Sequence, residues 1–133
     1  MNIEIRNAIY EDKDILNEML EKLIRYEYDH YNINVKEDFK ITSFFDKKLK
    51  EDNSIVLVAC YNNNIIGYIY AYIDSDNIIT KDLEAFVNSL YIEEDYRNKK
   101  NKNKLIKELI EVLKRKDVKF VSIDNMVNNI EAR

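Results

Sequence analysis

Arg97, Lys99, Lys100, Lys102 and Lys104 stand within eight residues of one another with no acid among them. Leu105, Ile106, Leu109, Ile110 and Leu113 follow at helical spacing, so the basic run occupies the first turn of an amphipathic helix. Cations there face the positive end of the helix dipole and its unsatisfied N–H groups, at roughly a few tenths of a kcal/mol each. An anion relieves that cost. Helix N–H donors and basic side chains together describe a phosphate-binding site, placed after the carboxyl end of a strand, where open α/β sheets bind ligands. The same run also reads as a solvated basic turn in a lysine-rich chain.

Counting excludes much other chemistry. With Gly 1, Pro 0, Cys 1 and His 1 in 133 residues, Gly67 stands alone, and neither a P-loop nor a dinucleotide fingerprint can be written. One Cys and one His supply no structural zinc site, disulfide framework or redox pair, so no metal is expected. Cys60 reads as a packed thiol at the end of an apolar strand, and His30 as a partly exposed residue at a helix end. A net charge of −4 argues against nucleic-acid binding. No apolar run approaches the roughly 20 residues of a spanning helix, and the N-terminus lacks the layout of a signal peptide. A cytoplasmic protein without membrane contact is expected. The many Asn residues look like genome composition on surface positions.

The elements that must carry the basic turn alternate along the chain. Ile3, Ile5 and Ala8 open a short strand. Acidic residues at Glu11, Asp12 and Asp14 start a helix whose apolar face is Leu16, Met19, Leu20, Leu23 and Ile24. A junction with Tyr26, Tyr28, His30 and Tyr31 leads to a second helix over residues 35–51, with Phe39, Ile41, Phe44, Phe45 and Leu49. Residues 54–61 and 65–74 form a hairpin around Asn62, Asn63 and Asn64, because Asn tolerates positive φ. Tyr68, Tyr70 and Tyr72 share one face of its second arm, opposite Gly67, Ile69, Ala71 and Ile73. That ladder reads either as a base-stacking platform or as sheet packing with hydroxyls reaching solvent; the strand lacks basic neighbours, which favours packing. A loop through Asp76 and Lys81 leads to a strand over residues 85–92, then the basic helix, then a strand over residues 118–123. One α/β (α+β) domain over residues 1–133 follows. Its mixed, mostly antiparallel sheet carries helices on both faces, and the last strand, helix and strand form a crossover.

This order of elements resembles the GNAT superfamily of acetyl-CoA-dependent N-acetyltransferases. An opening strand, two helices, a hairpin with a Gly in its second arm, a strand, Tyr96-Arg97, a loop and a leucine-rich helix all correspond, and Asn129-Ile-Glu-Ala132 resembles the family's Asn-x-x-Ala segment. The family's loop, Arg/Gln-x-x-Gly-x-Gly/Ala, is degenerate here: Arg97 is kept, but Lys100 and Lys102 stand at the glycine positions. A side chain there would block phosphate approach or demand an unfavourable φ. A register slipped by one would place Asn101 and Asn103 at those positions, but Leu105 and Ile106 fit the family's phase only in the first.

The resemblance implies an acyltransferase moving an acetyl group from acetyl-CoA to a primary amine of a small molecule or peptide. The pantetheine arm would pair with the backbone of Leu90, Tyr91 and Ile92, and the pyrophosphate would meet Arg97, Asn98, Lys99, Lys100, Asn101 and Lys102. The family often places an acid near the middle of this strand. Here Asn88 and Ser89 stand there, leaving Glu84 and Glu93 at the strand ends as bases. The six tyrosines of the junction and the ladder would line an acceptor pocket. The chain stops at Arg133, before the family's usual Tyr acid and its last two strands, so a homodimer through the Val118–Ile123 edge is expected. The alternative reading is a degenerate, non-catalytic binding module on the same fold.

Overall fold

The computed structural model describes residues 2–74 and 83–123. β2 (Ser54–Tyr61) and β3 (Asn64–Asp74) form the expected hairpin, with Asn62 at φ 51° and Asn63 at φ 66°. A two-residue turn of this hand needs positive φ at both positions, and in a chain with one glycine asparagine supplies it. β1 (Glu4–Asn7) pairs antiparallel with β2, β4 (Leu83–Ile92) antiparallel with β3, and β5 (Val118–Ile123) parallel with β4. The order is β1-β2-β3-β4-β5, the mixed and mostly antiparallel sheet expected.

Period-two alternation divides the side chains between two cores. On one face Leu105, Leu109 and Leu113 of α3 (Lys99–Arg115) pack on Leu57, Ile69, Ala71, Val87 and Leu90. On the other, Leu16, Met19, Leu20 and Leu23 of α1 (Lys13–His30) join Phe45 of α2 (Phe44–Lys48) over Val58, Tyr68, Tyr70 and Tyr91. Gly67 is buried on the α3 side of β3, where a Cβ would meet the Tyr91 carbonyl oxygen at 2.6 Å. Among the described residues no helix is long and apolar enough to cross a membrane, and no group of three or more His, Cys, Asp or Glu could hold a metal ion.

Two expectations about the helices are corrected. The tyrosine-rich junction is helical, because α1 runs on to His30 and ends only where Asn32 takes φ 59°. The Ile33 and Asn32 N–H groups then close back on Tyr28 and Asp29 carbonyls, a helix stop normally given to glycine. The second helix shrinks from residues 35–51 to Phe44–Lys48, because α1 side chains satisfy the backbone ahead of it. Arg25 donates to the carbonyls of Lys36, Glu37 and Phe39, and Glu21 accepts from the Ile41 N–H at 3.0 Å. Buried Asn17 then accepts from the Phe45 N–H at 2.9 Å and sets where α2 begins.

Candidate active site

Among the described residues β4 is paired on both sides over residues 84–87, and its last partner on β5 is Ile123. At that point the strand bulges. Tyr70 lies opposite Ser89 and Ala71 opposite Val87, so Asn88 is the extra residue. A bulge bends and twists a strand locally, and residues 88–92 beyond it have no β5 partner among the described residues. Val87 and Leu90 both bury toward α3, Ser89 buries toward α1, and Asn88 is exposed. Beside it opens a cleft of about 200 Å³ lined by Tyr72, Phe86, Val87, Asn88, Ser122 and Ile123. Tyr72 and Phe86 stack across its floor with centroids 5.5 Å apart. Ser122 Oγ donates to Glu84 Oε2 at 3.2 Å, which connects that carboxylate to the cleft wall.

At the carboxyl end of β4 the side chains of Leu90, Tyr91 and Ile92 are buried, so this stretch offers a ligand its backbone alone. A short 3-10 turn (Glu94–Tyr96) then delivers Arg97, whose Nε donates to the Ile92 carbonyl at 3.0 Å. Its guanidinium lies 5.5 Å from the Tyr91 ring centroid and 5.7 Å from that of Tyr26, so the residue ties α1 to the end of β4. Asn98 caps α3, its Oδ1 accepting from the Asn101 N–H at 2.9 Å. Asn101 is itself only 3% exposed and donates inward to the Tyr96 carbonyl at 2.7 Å. The first-turn N–H groups of Lys99 and Lys100 have no acceptor within the helix. Lys99 and Lys100 are exposed, Lys102 is partly buried, and Lys104 donates to the Ile3 carbonyl. Among the described residues no carboxylate pairs with Arg97, Lys99, Lys100 or Lys102.

The expected backbone strain at the glycine positions does not arise. Lys100 and Lys102 fall inside α3, and positive φ among the described non-glycine residues is confined to Asn32, Asn62, Asn63 and Asp117. Helical φ suits lysine as well as glycine, so the two replacements add bulk and charge at the helix start without distorting it.

Glu84 and Glu93 stand at opposite ends of β4 and its exit, about 30 Å apart at the usual rise of a strand. They cannot serve one reacting carbonyl together. Glu93 Oε1 accepts from Lys22 Nζ at 3.1 Å, and Oε2 from the Tyr91 hydroxyl at 3.4 Å. That hydrogen bond to Glu93 raises the Lys22 ammonium above the usual lysine range, while burial, then Glu93, pushes the Tyr91 hydroxyl up. The six tyrosines do not gather into one pocket. Tyr68 and Tyr70 are core residues, Tyr26, Tyr28 and Tyr31 are exposed, and only Tyr72 lines the cleft. The Tyr68 hydroxyl does not reach solvent but donates to Ser89 Oγ at 3.0 Å. Cys60 is buried and His30 exposed, its ring edge-on to Tyr31. Phe86 and Ser122 were not legible as cleft residues, since only the parallel pairing of β4 with β5 brings them together. The loop through Asp76 and Lys81 and the Asn129-Ile-Glu-Ala132 segment lie outside the described residues.

No curated protein matches the chain. Among solved structures it is similar to an acetyltransferase from Vibrio fischeri, with 27% identity, 90% of this chain and 95% of that one covered, and a TM-score of 0.73. It is similar in fold to the BH1408 protein of Bacillus halodurans, a tetramutant, with 16% identity, 97% and 86% covered and a TM-score of 0.81. An aminoglycoside acetyltransferase from an uncultured soil metagenomic sample, solved with sisomicin, also shares the fold at 17% identity, with 92% and 76% covered and a TM-score of 0.69. The model of the acetyltransferase (GNAT) family matches residues 16–133, from α1 through the bulged strand and the basic helix start, and the chain belongs to that family.

Proposed function

We propose that the protein transfers an acetyl group from acetyl-CoA to a primary amine of a small molecule or peptide. One observation carries the reading: the edge of residues 88–92 that faces away from β3, which has no strand partner among the described residues, and the carboxylate-free basic start of α3 lie at the same end of β4. The residues present suit coenzyme A. A peptide-like pantetheine arm suits an open strand edge, and phosphates suit the N–H groups of Lys99 and Lys100 with the charges of Arg97, Lys99, Lys100 and Lys102. Asn98 and Asn101 shape that helix start through their caps. The bound thioester supplies an activated acyl carbon; the amine forms a C–N bond as the C–S bond breaks.

The chain's own contribution is to orient and to take a proton. Backbone N–H groups near the Asn88 bulge would hold the carbonyl oxygen as it gains charge. An acceptor ammonium, with a reference pKa of about 10.4, must lose a proton first. Glu84 is the base we assign, reaching the cleft through Ser122, whereas Glu93 is engaged by Lys22 and Tyr91. A cleft of about 200 Å³ with a stacked Tyr72–Phe86 floor suits a compact acceptor or a peptide end. We also propose a homodimer through β5, which has only β4 beside it among the described residues and exposes Phe120 by 56% and Val121 by 38%; sedimentation as a 16.0 kDa monomer would sink it.

Titration calorimetry with acetyl-CoA tests the main reading. Binding that weakens with salt, and by about 1–3 kcal/mol in the Arg97→Ala, Lys102→Ala double variant, is the expected outcome. No heat at millimolar acetyl-CoA would refute it. Binding without turnover on any amine would instead favour the non-catalytic module.

A further inference from the structure

A bulge breaks the ladder of its strand, and without something to hold it the strand can slip back into even register. In β4 one buried side-chain bond fixes the residue that immediately follows the bulge. Tyr68 is paired with Tyr91, yet its hydroxyl reaches back along β4 to Ser89 Oγ at 3.0 Å. Tyr68 is 0% exposed and Ser89 2%, and the tyrosine ring is held edge-on by Phe45 with centroids 5.3 Å apart. Removing the bulge would bring Asn88 opposite Tyr70, turning its amide into the apolar layer beneath α1 and Ser89 toward the leucines of α3. Each polar group would then be buried without its present surroundings, which disfavours the slipped register.

We propose that the Tyr68–Ser89 hydrogen bond is a positioning device that holds the Asn88 bulge, and through it aims the edge of residues 88–92 that faces away from β3. The inference rests on the proposed acyl transfer for its functional consequence but not for its structural one. Both residues act through the backbone of β4 and neither touches the reacting atoms. Burial keeps the Tyr68 hydroxyl far above the ordinary tyrosine range, so it stays a donor and exchanges no proton. Tyr68 and Ser89 both lie on the α1 side of the sheet, while the bulged residue between Val87 and Ser89 is exposed beside the cleft.

The test compares Tyr68→Phe, Ser89→Ala, their combination and Ser89→Thr, reading acetyl-transfer kinetics and the backbone amide NMR signals of Asn88, Ser89 and Leu90. Tyr68→Phe removes one oxygen and no packing volume, so it decides the matter should Ser89→Ala fail to fold. Expected are shifted amide signals in both single variants and a fall in kcat of roughly 10- to 100-fold, with KM for the acceptor nearly unchanged. The double variant should be no worse than the poorer single one, and Ser89→Thr should restore most of the rate. Unmoved amide signals overturn the proposal. So do moved signals with undiminished kcat in a protein whose wild type turns over. If the wild type transfers no acetyl group to any amine, the proposed function fails, and the amide signals alone decide whether this bond holds the bulge.

Discussion

Residues 84–87 of β4 lie between β3 and β5, whereas residues 88–92 have β3 on one side and, among the described residues, no strand on the other. Both halves send side chains into the core, Ala85 and Val87 from the first and Leu90, Tyr91 and Ile92 from the second. What separates them is the backbone. In the first half N–H and C=O groups are shared with two neighbours; in the second, one edge has no partner among the described residues, and unpaired main-chain groups seek one. A recognition surface can therefore be made of peptide groups while its side chains serve as core, which is why this stretch reads in sequence as an ordinary apolar strand.

The largest expected effect spans both halves. Leu109 shares one core with Val87 and Leu90, and Leu109→Ala should cost about 2–5 kcal/mol in urea denaturation. Its acetyl-CoA affinity should keep the wild-type salt dependence, since the charges at the helix start are untouched. A loss below about 1 kcal/mol would show that α3 does not bear equally on the two halves.

Gly67→Ala sharpens the contrast by pressing on the open half alone. The new Cβ would meet the Tyr91 carbonyl oxygen at 2.6 Å and Ile92 Cα at 3.1 Å, both of them backbone. A stability loss of about 1–3 kcal/mol is expected from thermal unfolding, together with weaker coenzyme binding than in Leu109→Ala. Equal binding in the two variants would mean that the path of residues 91–92 does not matter to the ligand.

Arg97 asks whether the end of the open half is held by charge or by shape. Arg97→Ala removes the bond to the Ile92 carbonyl and the contacts with Tyr26 and Tyr91, about 1–2 kcal/mol of stability in all. Arg97→Lys keeps the charge but loses the planar contacts. Should the lysine variant match wild type in both stability and affinity, the geometric role would be wrong.

The smallest effect belongs to a control far from β4. Asp12 accepts from Arg6 at 2.8 Å and from the Ile9 N–H at 2.9 Å. Burial raises its pKa, but the Arg6 hydrogen bond and the Ile9 N–H outweigh burial and leave the carboxyl below its usual range. Its contribution is therefore complete above the unfolded pKa, about 3.9, and is lost as pH falls through the lower folded value. Asp12→Asn should cost about 0.5–1 kcal/mol near neutral pH and flatten the acid limb of stability. An unchanged acid limb would remove Asp12 from that account.

Much of the fold was legible because its signals are local. The Asn62-Asn63 turn names its own conformation, the stripe of Leu105, Leu109 and Leu113 names its period, and β5 was bounded correctly at Val118–Ile123. The helix limits around residues 31–51 were not legible, because long-range bonds from Asn17, Glu21 and Arg25 set them. The same holds for the glycine positions of the loop. Loss of glycine reads as strain until the helix is seen to begin before Lys100.

Composition and spacing by themselves determined that there would be a mixed sheet between helices, that metal and dinucleotide motifs would be missing, and that a basic helix start would follow an apolar strand. Only the tertiary structure decided which residues of β5 lie beside β4, that Asn88 bulges, that Tyr68 reaches Ser89, and that Phe86, Asn88 and Ser122 border one cleft. The reason lies in range. Turns and periodicities are written by neighbours along the chain, whereas strand separation and register depend on which partners, tens of residues away, satisfy a backbone that has no side-chain code of its own.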